Sequence, residues 1–122
     1  TVQKTYTALD AEIRHLCNPV SMDTLSLAGG MEDMSTNAPY VVQKLDQILD
    51  DLRYIFALEL IHAAQAVDYR KGRKLGKYSG AVYEKFRTFV PFYSKDRNIT
   101  EMIRQTHELI ADGTLLSLLP RD

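Results

Sequence analysis

Glu32 and Asp33 stand side by side in a stretch of small and polar residues, immediately ahead of a long apolar run. A carboxyl group there can exchange protons if its pocket is dry, because burial raises its pKa toward the range useful to a general acid or base. The same pair can instead act as charges near a helix N-terminus, where the macrodipole favours anions. From the residues alone, that second role is the simpler one. Glu59 and His62, three apart, offer another proton-handling pair, although hydrogen-bonded partners in a crowded helical bundle is again the simpler expectation. His15, His62 and His107 are isolated from any second ligand type, so no metal site is expected. Cys17 has only His15 as a nearby activator and is expected to be a buried, inert thiol. Gly29-Gly30 has neither phosphate-loop spacing nor a following Lys-Ser/Thr pair, and is expected to let the backbone pass close to something.

The elements that must position these groups are helical. Val2, Tyr6, Leu9, Ile13 and Leu16 alternate steps of four and three, one apolar stripe on a helix that ends before Pro19. Residues 18–35 are mostly small, polar or Met and favour irregular backbone, and an ordered loop of about 15 residues is long enough to point to function. Ser35, Thr36 and Asn37 are plausible caps for a second helix, and Pro39 fits its first turn. That helix should run to about Tyr69, roughly thirty residues or 45 Å. In its first half, Val41, Leu45, Ile48 and Leu52 form a stripe opposite Lys44, Asp46, Asp50 and Asp51. Over residues 54–67 only Glu59, His62 and Gln65 interrupt an apolar surface, and a helix apolar nearly all round must be surrounded by protein. Three short segments hardly supply that cover, so self-association as a dimer or tetramer is expected.

A basic connector follows, with Arg70, Lys71, Arg73, Lys74 and Lys77 around Gly72 and Gly76. A phosphate or nucleic-acid patch is one reading. A solvated loop whose charges suit the preceding helix dipole is the preferred one, since no stacking aromatics are interleaved. A third helix carries Val82, Phe86 and Val90 and stops at Pro91. A fourth opens with Asn98 and Glu101 spaced as a capping box and closes at Gly113. The expected organisation is all-α, with a long central helix plus shorter ones: helix 1–17, loop 18–35, long bundle helix 36–70, basic connector 71–78, and two helices with a tail over 79–122.

Composition sets outer bounds. With 122 residues, 45% hydrophobic and 25% charged, the chain falls in the soluble globular class. Fifteen basic against sixteen acidic residues give a net charge of -1, and nothing global draws it to nucleic acid or an anionic membrane. A single cysteine excludes an internal disulfide framework and suits the cytoplasm. No apolar run reaches the roughly 18 residues of a membrane span. The N-terminal residues lack a signal-peptide core and an initiating Met, which leads to the expectation that Thr1 is a cut boundary.

Several motifs in register resemble the C-terminal part of the ammonia-lyases and aminomutases that act on histidine, phenylalanine and tyrosine. In that family a loop of small residues carries Asn-Gln-Glu or Asn-Gln-Asp before a long bundle helix. Gly30, Met31 and Glu32 fall on those positions, and Ser35 falls on the family's Ser. ALELIHAAQAVDYR (57–70) resembles the family's helix segment with its Glu, Gln and Asp, and VPFYSKDRNITEMI (90–103) resembles its Val-Pro-aromatic, Asp-Arg and acidic-Ile tail.

The resemblance implies that residues 1–122 are a single helical C-terminal domain or fragment of a larger helical-bundle enzyme, that 18–35 is an active-site-type loop, and that the enzyme is a tetramer whose active sites are lined from three subunits. It also implies a methylidene-imidazolone electrophile made from an Ala-Ser-Gly triplet. This chain has no such triplet, the nearest text being Tyr78-Ser79-Gly80. The base-bearing Tyr loop and the Arg that holds the substrate carboxylate also lie upstream in the family, so the isolated chain is expected to be inert. By the resemblance Glu32 is the catalytic candidate, with Gly30 and Met31 lining the substrate pocket. The family's Asn and Gln are replaced by Gly30 and Met31, and the His that histidine-acting members carry is Met34. Two amide side chains have become a glycine and a thioether, which suits a less polar substrate or none. Three functions follow: a histidine or aromatic amino-acid ammonia-lyase fragment, an aminomutase or degenerate homologue, and a helical oligomerisation module without catalysis.

Overall fold

The N-terminal stripe folds as its spacing requires. Val2, Tyr6, Leu9, Ile13 and Leu16 are the only residues of α1 (Val2–Leu16) not fully exposed. The structure is a computed structural model and describes residues 2–20, 22, 25–32, 36–72 and 74–120. Helical hydrogen bonding ends as Cys17 N–H donates to the Ile13 carbonyl and Asn18 N–H to that of His15. Pro19 follows and has no N–H to continue the ladder.

Three further helices follow: α2 (Ala38–Tyr69), α3 (Lys77–Phe89) and α4 (Thr100–Ala111). Short 3-10 turns occupy Ala28–Gly30 and Leu116–Leu118. Among the described residues the only strand-like feature is one isolated antiparallel bridge, Leu27 with Glu32. The chain is therefore all-α, built on one long helix with shorter companions. No helix among the described residues is long and apolar enough to cross a membrane.

Residue contacts divide the chain into two compact units, Thr1–Leu52 and Arg53–Asp122. In the first, Asn37 immediately precedes α2 at a φ of 51°, a left-handed conformation that asparagine tolerates better than most residues. Its carbonyl receives the N–H groups of Tyr40 and Val41, while its side-chain amide donates to the Val20 carbonyl at 3.0 Å. Ser35, a second cap candidate, lies outside the described residues. Pro39 sits in the first turn as expected, where a missing N–H costs nothing.

The inward face of this half of α2 carries part of the predicted stripe together with polar residues. Lys44 is half-buried and donates to the Asn18 carbonyl, and Asp51 is buried with Gln47 Nε2 3.4 Å from its Oδ1. Of the predicted stripe, Ile48 and Leu52 are half-buried while Val41 and Leu45 are exposed, as are Leu49 and, at 63%, Val42 beside it. The carbonyl left open where α1 ends needs a donor, and Lys44 supplies it.

In the second unit, Ile61 and Ala64 of α2 pack with Phe86 and Val90 from α3 and its end, and with Met102, Leu109 and Leu115 from α4 and beyond. Ala57 and Leu58 are buried as well, whereas Phe56 is 53% exposed. One side of the residue 54–67 segment is thus covered by the chain's own short helices. Gly113, at a φ of 76°, takes the left-handed conformation that ends α4.

The predicted capping box at α4 does not form. Asn98 Oδ1 accepts from Thr100 N–H at 2.9 Å, a turn two residues long, while Glu101 is taken by Arg104 at 2.6 Å and by Gln105 at 3.1 Å. An arginine fork on the same surface of the helix outcompetes a single backbone N–H for that carboxylate.

Candidate active-site loop

Gly30, Met31 and Glu32 lie on a tight reversal of the loop between α1 and α2. Leu27 and Glu32 exchange backbone hydrogen bonds, Leu27 N–H to the Glu32 carbonyl at 2.9 Å and Glu32 N–H to that of Leu27 at 3.2 Å. Gly30 N–H also reaches the Leu27 carbonyl at 3.0 Å. Closing so short a ring requires three successive left-handed residues, with φ of 52° at Ala28, 68° at Gly29 and 90° at Gly30. Glycine adopts such angles freely, whereas Ala28 carries strain of about 1 to 3 kcal/mol. A Cβ added at Gly30 would meet only the Ser26 hydroxyl at 3.7 Å, so conformation and not space selects glycine there.

This geometry holds the Glu32 backbone while leaving its side chain, and that of Met31 at 88% exposure, facing outward. The three candidate residues are together by adjacency in the chain. Asp33 and Met34 lie outside the described residues. The described residues of this unit do not bury Glu32.

Other candidates fare differently. Cys17 is exposed, not buried, because it stands one residue past the apolar stripe of α1, where the chain turns away. His62 and Glu59 are both exposed and do not pair as expected; His62 Nδ1 donates back to the Leu58 carbonyl at 2.6 Å, one turn earlier. His107 stacks on Tyr54 with ring centroids 4.0 Å apart. No group of three or more potential metal-ligating side chains occurs among the described residues. Tyr78-Ser79-Gly80 forms the first turn of α3. Its Ser79 hydroxyl donates to the Gly76 carbonyl at 3.2 Å and Gly80 N–H to the same oxygen at 2.8 Å.

The structure adds a polar cluster that the residue pattern did not single out. Arg87 of α3 forms an ion pair with Asp68 of α2, donates to Gln65 Oε1 at 3.1 Å, and donates to the Val90 carbonyl at 2.9 Å. The Tyr83 hydroxyl donates to the other oxygen of Asp68. Gln65 in turn donates to the Tyr93 carbonyl at 2.9 Å. The bond from Tyr83 to Asp68 raises the pKa of the phenol, burial adds to it, and neighbouring Arg87 opposes it. Arg87 Nε is buried with no hydrogen-bond partner, while both terminal nitrogens of the guanidinium are engaged. The available signal was the Gln and Asp of the 57–70 motif; nothing in spacing alone paired them with Tyr83 and Arg87.

A sequence model of the aromatic amino acid lyase family matches residues 1–88. The histidine ammonia-lyase of Stigmatella aurantiaca is 38% identical over 115 residues, covering 94% of this chain and 22% of that protein. That of Chloroflexus aurantiacus is 35% identical over 119 residues, covering 93% and 23%. Among solved structures, the ergothioneine-degrading enzyme ergothionase from Treponema denticola, in complex with desmethyl-ergothioneine sulfonic acid, superposes with a TM-score of 0.89 at 46% identity, over 95% of this chain and 23% of that one. The histidine ammonia-lyase of Trypanosoma cruzi superposes with a TM-score of 0.88 at 24% identity, over 96% of this chain and 23% of that one, a likeness of fold. The chain spans less than a quarter of the length of the curated relatives named here, at 22% and 23%. Matched along most of its length by the family's sequence model and by two of its enzymes at more than a third identity, the chain belongs to the aromatic amino acid lyase family.

Proposed function

We infer that this chain forms the C-terminal helical part of a cytoplasmic lyase of the histidine ammonia-lyase type, which eliminates ammonia from an L-amino acid to give an unsaturated acid. The observation that carries the reading is the loop of Gly30, Met31 and Glu32, closed by the Leu27–Glu32 bridge, which projects a carboxylate from a fixed backbone at the position the family reserves for one. In the complete enzyme other segments cover this loop. There Glu32 serves as an acid–base group and Gly30 and Met31 line the pocket. The methylidene-imidazolone electrophile comes from an Ala-Ser-Gly triplet outside these 122 residues, and the isolated chain is inert. Assembly into dimers or tetramers buries the exposed apolar side of α2.

A second reading of the same site is favoured by one observation: identity is 46% to the ergothionase and 38% to the histidine ammonia-lyase of S. aurantiaca. On this reading the substrate is an ergothioneine-type histidine derivative, and the replacement of two amides by Gly30 and Met31 accommodates its altered ring or amine. The complete protein, incubated separately with L-histidine, L-tyrosine, L-phenylalanine and ergothioneine, should produce the absorbance of an unsaturated acid with one of them. A β-amino acid product would indicate an aminomutase. Absence of turnover with all four, in a protein shown to be folded, would count against both readings.

A further inference from the structure

An open surface depression of about 510 Å³ beside the connector between α2 and α3 is lined by Arg70, Lys71, Lys74, Asp68, Tyr83 and Glu84 among others. Asp68 is already engaged by Arg87 and Tyr83, and Glu84 is the remaining acidic lining residue. Arg70, Lys71 and Lys74 have no ion-pair partner among the described residues, in contrast to Arg14, Arg87 and Arg104, which are all paired. Three free cations therefore share one concave surface on a chain whose net charge is -1.

Helix dipoles do not account for this concentration. The C-terminal end of α2 presents about half a negative charge, enough to favour one neighbouring cation such as Arg70. Lys74 and Lys77 lie instead at the start of α3, whose positive end repels them. That end has no acidic residue in its first turn and no side-chain cap on its N-cap residue, Gly76. Mutual repulsion and an unanswered dipole act in the same direction, and a multivalent anion relieves both.

From the lining charges we propose that this depression binds a small soluble phosphate-bearing anion of two or more negative charges. Arg70, Lys71 and Lys74 hold its phosphate oxygens, and the hydrophobic wall of Val67 and Leu75 receives its remainder. The volume lies in the range of ordinary small-ligand sites.

Inorganic pyrophosphate is the probe. Titrated calorimetrically into the 122-residue chain at constant ionic strength, it should bind saturably at one site per chain, and more tightly than chloride. Combining Lys71→Glu with Lys74→Glu should weaken binding at least about tenfold, since each reversal replaces an attraction by a repulsion at contact distance. Lys95→Glu makes a similar charge change away from the lining and should leave affinity within about twofold, with circular dichroism confirming that all variants are folded. Loss of affinity in Lys95→Glu equal to that in the double variant would overturn the proposal, as would non-saturable binding. Sedimentation of the chain with phosphatidylserine-containing vesicles, without pyrophosphate binding, would assign the patch to a lipid surface and likewise overturn it.

Discussion

Arg87 and Asp68 meet as an ion pair between α3 and α2 with side-chain exposures of only 13% and 21%. At that depth the pair is incompletely solvated, and removing one partner leaves a charge without compensation. Arg87→Ala should therefore lower the unfolding free energy by roughly 2 to 4 kcal/mol, measured by urea denaturation. A loss below about 0.5 kcal/mol would place the pair with ordinary surface ion pairs.

Tyr83 provides a pH-dependent readout of the same cluster. Its phenol keeps its proton more tightly when folded, because that proton is donated to Asp68, and burial adds to the effect. The contribution to stability is complete below the unfolded value of about 10 and is lost as pH rises through the higher folded value. Ultraviolet titration should show a late-ionising tyrosine that disappears in Tyr83→Phe.

A Cβ placed on Gly29 would meet nothing within 4 Å, yet the φ of this residue is 68°. Any cost of substitution is then a backbone cost. Gly29→Ala should destabilise the chain by about 1 kcal/mol, and Gly29→Asn by less, since asparagine enters the left-handed region more readily. Equal thermal midpoints for the three proteins would mean that the loop relaxes to another conformation.

In the complete enzyme, Glu32→Gln should reduce kcat by about a hundredfold or more. Its backbone hydrogen bonds to Leu27 do not involve the side chain, so the thermal midpoint should stay close to that of the parent. Unchanged kcat would remove Glu32 from the catalytic assignment.

Phe56 is the discriminating probe of self-association. Leu58 is fully buried within its own unit, so an aspartate there would unfold the chain, whereas Phe56 is 53% exposed. Phe56→Asp should shift sedimentation at micromolar concentration toward monomer while leaving the helical signal intact. A folded monomer before mutation would show that the exposed row needs no partner.

What the sequence made legible were the features set by local periodicity: the α1 stripe, the helical run to Tyr69, the stop near Pro91 and the left-handed Gly113. Family motifs located the loop of Gly30, Met31 and Glu32. Features decided by competition for partners were not legible. Lys44 turned inward to serve the Asn18 carbonyl, Glu101 preferred an arginine to a backbone N–H, and Cys17 fell just past the half-buried stripe of α1. The Asp68, Tyr83 and Arg87 cluster joins residues 15 and 19 positions apart on different helices, beyond any helical repeat.

The side chain of Gln65 behaves like a borrowed peptide group. Among the described residues, no backbone-to-backbone bond outside the helices involves residues 91–98, yet Gln65 offers Nε2 to the Tyr93 carbonyl and Oε1 to Tyr93 N–H, the latter at 3.4 Å. It stands where a neighbouring strand would, and its oxygen also accepts from Arg87. A glutamate would keep the acceptor and lose the donor, and a leucine would lose both. The crossing from α3 to α4 is thus spelled by an amide in the middle of an otherwise apolar stretch of α2, and the requirement for glutamine at that position is one of grammar and not of hydrophobicity.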